Sequence, residues 1–126
     1  MEVTRELVLP VEPEEVWDAL TSPERLEEWF ANDVELDAEP GGEGVFRWDS
    51  GEVRRAVVED VEVGRRLTLL WWDEEAPGDE TLVTISVEPV DTGARVVVTE
   101  STRGPMACAS GWALALELRF AAGVLV

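Results

Sequence analysis

Between residues 3 and 9 apolar and polar side chains alternate, with Val3, Leu7 and Leu9 on one side and Thr4 and Glu6 on the other. That is the pattern of a strand with one buried face. Pro10 and Pro13 end it, and from Pro13 the apolar interval becomes helical: Val16, Trp17 and Leu20 share a face behind Glu14 and Glu15, which suit the positive end of a helix dipole. Ser22, Pro23 and Glu24 form a second helix start, with Ser22 as N-cap, and Leu26, Trp29 and Phe30 follow at i, i+3 and i+4. The two short helices are expected to lay Trp17, Leu20, Leu26, Trp29 and Phe30 against a common surface.

From Val34 the two-residue interval returns. Strands are expected over residues 34–38, 45–48, 52–61, 67–72, 81–88 and 94–101, separated by short stretches rich in Pro, Gly and Asp. Short separators imply antiparallel hairpins. Thr84 and Ser86 alternate with Val83, Ile85 and Val87, and Val97 and Thr99 with Val96 and Val98, so the sheet is expected to have one covered face and one wet face.

The stretch from Met106 onward is apolar around most of a helical circumference. Trp112, Leu116 and Phe120 fall on one stripe, and Leu114, Leu118 and Leu125 on a second. A helix of that kind is normally wrapped by something else, so the chain reads as a curved sheet closed around its C-terminal helix. A membrane span over residues 106–126 is the rival reading. Glu117 and Arg119 in its middle and the lack of a flanking basic cluster argue against it.

With 126 residues and 45% hydrophobic content, a single domain spanning residues 1–126 is expected. Cys108, the one cysteine, lies within the apolar helix and reads as a buried inert thiol. No basic-then-apolar leader opens the sequence, so a cytoplasmic location is expected. The formal charge of -18 opposes binding to nucleic acid or to anionic membranes. All ten basic residues are Arg, and His, Lys and Tyr are absent. Histidine-based nucleophile dyads, imidazole zinc sites and Schiff-base lysines are thereby excluded. Acid–base chemistry would fall to carboxylates, and no catalytic residue, metal or other cofactor is expected.

Two glycine- or acid-rich segments have blander readings. Gly41, Gly42 and Gly44 precede a strand rather than a helix, so a tight turn is expected instead of a phosphate loop. The acidic run at residues 73–80 lacks the alternating ligand spacing of a calcium loop and reads as a solvated turn. Six Trp in so short a chain are the informative excess.

Val16, Trp17, Ala19, Leu20, Thr21, Pro23, Glu24, Leu26, Trp29 and Phe30 occur in the order and spacing that open members of the SRPBCC superfamily. Gly41 to Arg47, Arg65 to Leu67 leading to Trp71, Val83 to Pro89, and Gly111 with Trp112 continue the likeness in order. The chain resembles bacterial proteins similar to the C-terminal domain of the Hsp90 ATPase activator. The resemblance implies an α+β helix-grip (Bet v 1-like) fold, in which a curved seven-stranded antiparallel sheet surrounds a long C-terminal helix and two short helices follow strand 1.

That arrangement would bring Trp29, Phe30, Phe46, Trp48, Trp71, Met106, Trp112 and Leu116 around one interior, either as ordinary core or as the lining of an apolar cavity. Arg119 projects beside the Trp112 and Leu116 stripe, where it would pair with a strand carboxylate, extend to the rim, or meet the acidic head of an amphipathic ligand. The expected function is binding of a small hydrophobic or amphipathic molecule, such as a lipid. The alternatives are a protein-interaction role, as the relationship to the Hsp90 activator implies, and a cyclase or aromatase activity like that of other superfamily members.

Overall fold

A computed structural model describes residues 2–102 of the chain. In order they form β1 (Glu2–Leu9), α1 (Pro13–Thr21), α2 (Pro23–Trp29), β2 (Asp33–Leu36), β3 (Glu43–Arg47), β4 (Val53–Glu62), β5 (Arg66–Asp73), β6 (Thr81–Val90) and β7 (Gly93–Thr102). The seven strands make one antiparallel sheet in the order β1-β7-β6-β5-β4-β3-β2. The expected long C-terminal helix, Cys108 included, lies outside the described residues.

Each strand end follows from local chemistry. β2 ends at Leu36, two residues short of expectation; Asp37 N–H still donates to the Glu43 carbonyl at 3.1 Å, the next position of the β2–β3 register, before the chain enters the turn. Gly41 takes φ +83°, and a Cβ on Gly42 would stand 2.1 Å from the Asp37 carbonyl oxygen, so residues 41 and 42 make the tight turn into β3. The turn is tied to β4, where Val58 donates to the Gly42 carbonyl and accepts from Gly41 N–H, both at 2.8 Å. Immediately beyond, the β4–β5 register shifts between Val58 and Asp60. A bulge of this kind bends the strand and increases its twist. Gly93 is required by a close approach: a Cβ there would sit 2.1 Å from the Leu9 carbonyl oxygen at the end of β1.

The sheet has the two faces the alternation predicts. Leu67, Leu69 and Trp71 of β5, Val83, Ile85 and Val87 of β6, and Ala94, Val96 and Val98 of β7 are buried on one side. Against this face α1 packs on β6 and β7 through Val16, Ala19 and Leu20, and α2 follows beside β2. Each Leu or Val so enclosed contributes about 1.5–3 kcal/mol over its exposed state.

The outer face carries Thr68, Thr84 and a set of ion pairs: Arg47 with Asp33 and Glu35, Arg66 with Asp60, and Arg95 with Glu6 and Glu88. Ser22 corrects one detail. It occupies the N-cap position of α2 and also closes α1, its N–H donating to Asp18, but its hydroxyl makes no capping bond. The preorganised Pro23 and the acidic Glu24 define that start instead. Among the described residues no helix is long and apolar enough to cross a membrane.

Candidate functional site

The aromatic residues expected at the interior converge at one end of the buried face. Phe30, which caps α2, is the hub: its ring lies 5.3 Å from Trp29, 5.7 Å from Phe46, 5.4 Å from Trp48 and 5.8 Å from Trp71, centroid to centroid. Phe46 meets Trp71 edge-on at 5.7 Å and lies 6.5 Å from Trp48. These are favourable tilted, stacked and edge-to-face separations, worth about 0.5–1.5 kcal/mol per pair beyond area burial. Trp29, Phe46 and Trp71 are almost wholly buried, whereas Phe30 and Trp48 are partly open.

Two indole N–H groups fix the cluster to the backbone. Trp29 Nε1 donates to the Ala19 carbonyl at 2.9 Å, which clamps α2 to α1, and Trp48 Nε1 donates to the Phe30 carbonyl at 2.8 Å. The five residues thus come from α2 and its cap, from β3 and the turn after it, and from β5. Met106, Trp112, Leu116 and Arg119 lie outside the described residues.

Three polar side chains that the sequence reading did not single out share this end of the face. Arg54, opposite Phe46 in β3 and Asp73 in β5, holds its guanidinium 4.9 Å from the Trp71 ring centroid. Its Nε donates to Glu52 at 2.7 Å. Thr81, opposite Trp71, and Glu100, opposite Val83, are 5% and 2% exposed. They are the buried polar side chains of the described part of the chain. Their signal was present in the strand alternation, since Glu100 has the parity of Val96 and Val98, and Arg54 that of Ala56 and Val58.

Beside Arg54 a groove of about 610 Å³ opens between the β3–β4 turn and the start of the β5–β6 connection, lined by Ser50, Glu52, Arg54, Asp73, Glu74 and Glu75. The acidic segment there is the expected turn. Ala76 N–H donates to the Asp73 carbonyl and Glu75 N–H to Asp73 Oδ1, both at 2.9 Å, while Glu74 accepts from Arg55 at 3.2 Å. Among the described residues no three ligand-type side chains are grouped to hold a metal ion.

An antiparallel sheet of seven strands, with two helices inserted after the first and an aromatic interior, defines the Bet v 1-like class. Residues 10–122 match the model of the Activator of Hsp90 ATPase homolog 1-like protein family, and the chain belongs to that family. Solved structures agree. Protein MLL2253 from Mesorhizobium loti is 25% identical with a TM-score of 0.83, the match covering 99% of this chain and 93% of that one. CalU16 from Micromonospora echinospora is 23% identical with a TM-score of 0.72, over 98% of this chain and 74% of that one. The Aha1 dimer from Colwellia psychrerythraea, solved in solution, is 21% identical with a TM-score of 0.76, over 94% and 92%. Among curated protein sequences none matches this chain.

Proposed function

We propose that the protein binds a small hydrophobic or amphipathic molecule against the aromatic end of the buried sheet face, with Trp29, Phe30, Phe46, Trp48 and Trp71 as its wall. Met106, Trp112, Leu116 and Arg119 are assigned to the opposite wall on the strength of the family resemblance. The carrying observation is the convergence of five aromatic rings from separate elements beside Arg54, Thr81 and Glu100. Small-molecule sites combine apolar and aromatic walls with a few placed polar groups in this way. A wall with two partly open rings, Phe30 and Trp48, gives a ligand a route in.

A second reading, protein association, is favoured by the outer face. Val57, Leu70 and Leu82 stand directly opposite one another across β4, β5 and β6, and Leu82 is 40% exposed. The solution dimer formed by the Colwellia relative supports the same reading. Native mass spectrometry of protein purified without delipidation tests both. A monomer carrying a small-molecule adduct is expected; a clean dimer without adduct would favour association through the outer row, and a clean monomer would count against both.

A further inference from the structure

The outer face of the sheet is polar over much of its extent: Thr4, Thr99, Thr84 and Thr68 stand opposite one another across β1, β7, β6 and β5. The rows beside them, toward the β5–β6 connection, break that pattern. One runs Leu82, Leu70, Val57 from β6 to β4, and the next Trp72, Arg55, Val45 from β5 to β3. Leu82 is 40% exposed, and the other apolar members are partly exposed. Apolar side chains gathered on adjacent rows within a polar surround mark an interaction surface. Trp72 directly opposite Arg55 supplies the residue types that most often anchor one.

The backbone restricts what can dock there. β3 to β6 are interior strands whose N–H and C=O groups are committed to their neighbours, so a partner cannot add to this face as a strand. It must bring a self-satisfied backbone and present side chains alone, as an α-helix does. Rows crossing three strands at a spacing of about 4.8 Å are about 10 Å long, and a helix with its side chains is about 10–12 Å across.

Charge selects the helix. Glu43 closes one row beside Val57, and Glu35 closes the other beside Val45. On the opposite side Glu80 stands two residues before Leu82, on the same alternation. Arg47 and Arg55 are engaged with Asp33, Glu35 and Glu74. Glu43 and Glu80 have no ion-pair partner among the described residues. Both flanks therefore present uncompensated carboxylate, on a chain of net charge -18. A second copy would set acidic flank against acidic flank in any two-fold arrangement. A basic helix would meet opposite charge on both sides of its apolar stripe.

Resting on the reading of this face as an association surface, we infer that its partner is a basic amphipathic helix of another protein. The apolar stripe of that helix covers Leu70, Leu82 and Trp72, and its Lys or Arg residues reach Glu43 and Glu80.

The test is isothermal titration of the full chain with synthetic helices of about 14 residues, roughly 21 Å long. One carries a leucine stripe and lysines elsewhere, the second the same stripe with glutamates, and the third lysines with serine in place of every leucine. At about 0.1 M salt, which screens exposed charges beyond about 10 Å, the leucine–lysine helix is expected to bind about ten-fold more tightly than either of the others. Leu82→Ser, with folding confirmed by its melting curve, should weaken that binding about five-fold. Glu43→Gln combined with Glu80→Gln should weaken it about three-fold. Val8→Ser, at a 49% exposed position on β1 away from these rows, should leave it unchanged.

The comparison of the three helices on the wild type needs no variant. Equal binding by the serine–lysine helix, or an affinity indifferent to Leu82→Ser, reduces the interaction to general charge attraction and overturns the assignment. Equal or tighter binding by the leucine–glutamate helix overturns it as well. Sedimentation of the chain alone separates these failures from failure of the association reading. A dimer that is lost in Leu82→Ser, with no helix bound, gives the face to a second copy; a monomer that binds no helix removes the association reading and the assignment together.

Discussion

The two ends of the buried sheet face share one backbone and differ in chemistry. At one end Leu67, Ile85, Val87, Val96 and Val98 oppose one another across β5, β6 and β7, aliphatic and nearly fully enclosed. At the other, along the same strands and onto β3 and β4, the positions that would continue this pattern hold Phe46, Arg54, Trp71, Thr81 and Glu100. At Glu100 the change carries a desolvation cost that a valine would avoid. On the proposed reading the aliphatic end is scaffold and the aromatic end is the ligand wall.

The contrast is most exposed to refutation at Ile85, which is fully buried in the aliphatic end. Ile85→Ala should lower the unfolding free energy by about 2–5 kcal/mol in urea titration while leaving the affinity per folded molecule for naphthylmethanol, a neutral aromatic probe of the proposed site, unchanged. Loss of both together would show that the two ends are one unit. A smaller effect on stability, about 1 kcal/mol, is expected from Trp48→Phe, which removes the N–H donated to the Phe30 carbonyl. Because Phe30 is the hub of the rings, this variant should also weaken naphthylmethanol binding several-fold in isothermal titration, and an unaltered affinity would place Trp48 outside the proposed site.

Arg54→Met is expected to cost less than about 1 kcal/mol, since its guanidinium is partly solvated and the ring contact is modest. Its signature is spectroscopic: tryptophan emission should shift as the cation leaves the Trp71 face, and an unchanged spectrum would contradict the stacking. At the bottom of the scale, Arg66→Gln on the outer face should move neither the urea midpoint nor probe affinity measurably. Hydrogen bonding to Asp60 raises the Arg66 pKa above its ordinary value, and Glu35 followed by Asp33 does the same for Arg47. A raised folded-state pKa gives stabilisation that is complete below the unfolded value and lost only as pH climbs past it, in strongly alkaline solution. Stability should therefore show no step from these two groups between about pH 6 and 9, and a step traced to either by substitution would break the pairing.

The strands and helices were legible because burial on one side imposes a period of two or 3.6 on the sequence, and the observed ends differ from the expected ones by a residue or two. β6 runs on to Val90 past Pro89, which lies next to the hairpin end where a lost N–H is easily tolerated. The five aromatic residues were legible by size and by their likeness to the family. Arg54 was harder to read, because it stands next to Arg55 and the parity that turns it inward is carried only by the following Ala56, Val57 and Val58, which are all apolar. Glu100 was overlooked for a different reason. A carboxylate at the end of a valine-rich strand reads as the place where the strand emerges into solvent, although its parity with Val98 says otherwise.

Among the described residues β1 has a single neighbour in the sheet, β7, and the pairing joins Leu9 to Ala94 and Glu2 to Ser101. Contacts spanning that much sequence are slow to form, because a long loop must close before they return any free energy. On the ribosome the delay is enforced. At synthesis rates of about 5–20 residues per second, β1 waits on the order of ten seconds for its partner to be made. During that interval Leu7 and Val8 have no strand to lie against, and the hairpins from β2 to β6 can assemble without them. The nascent chain should thus acquire its aromatic wall before its first strand docks, and an arrested chain ending shortly before β7 should display β1 to proteases and chaperones.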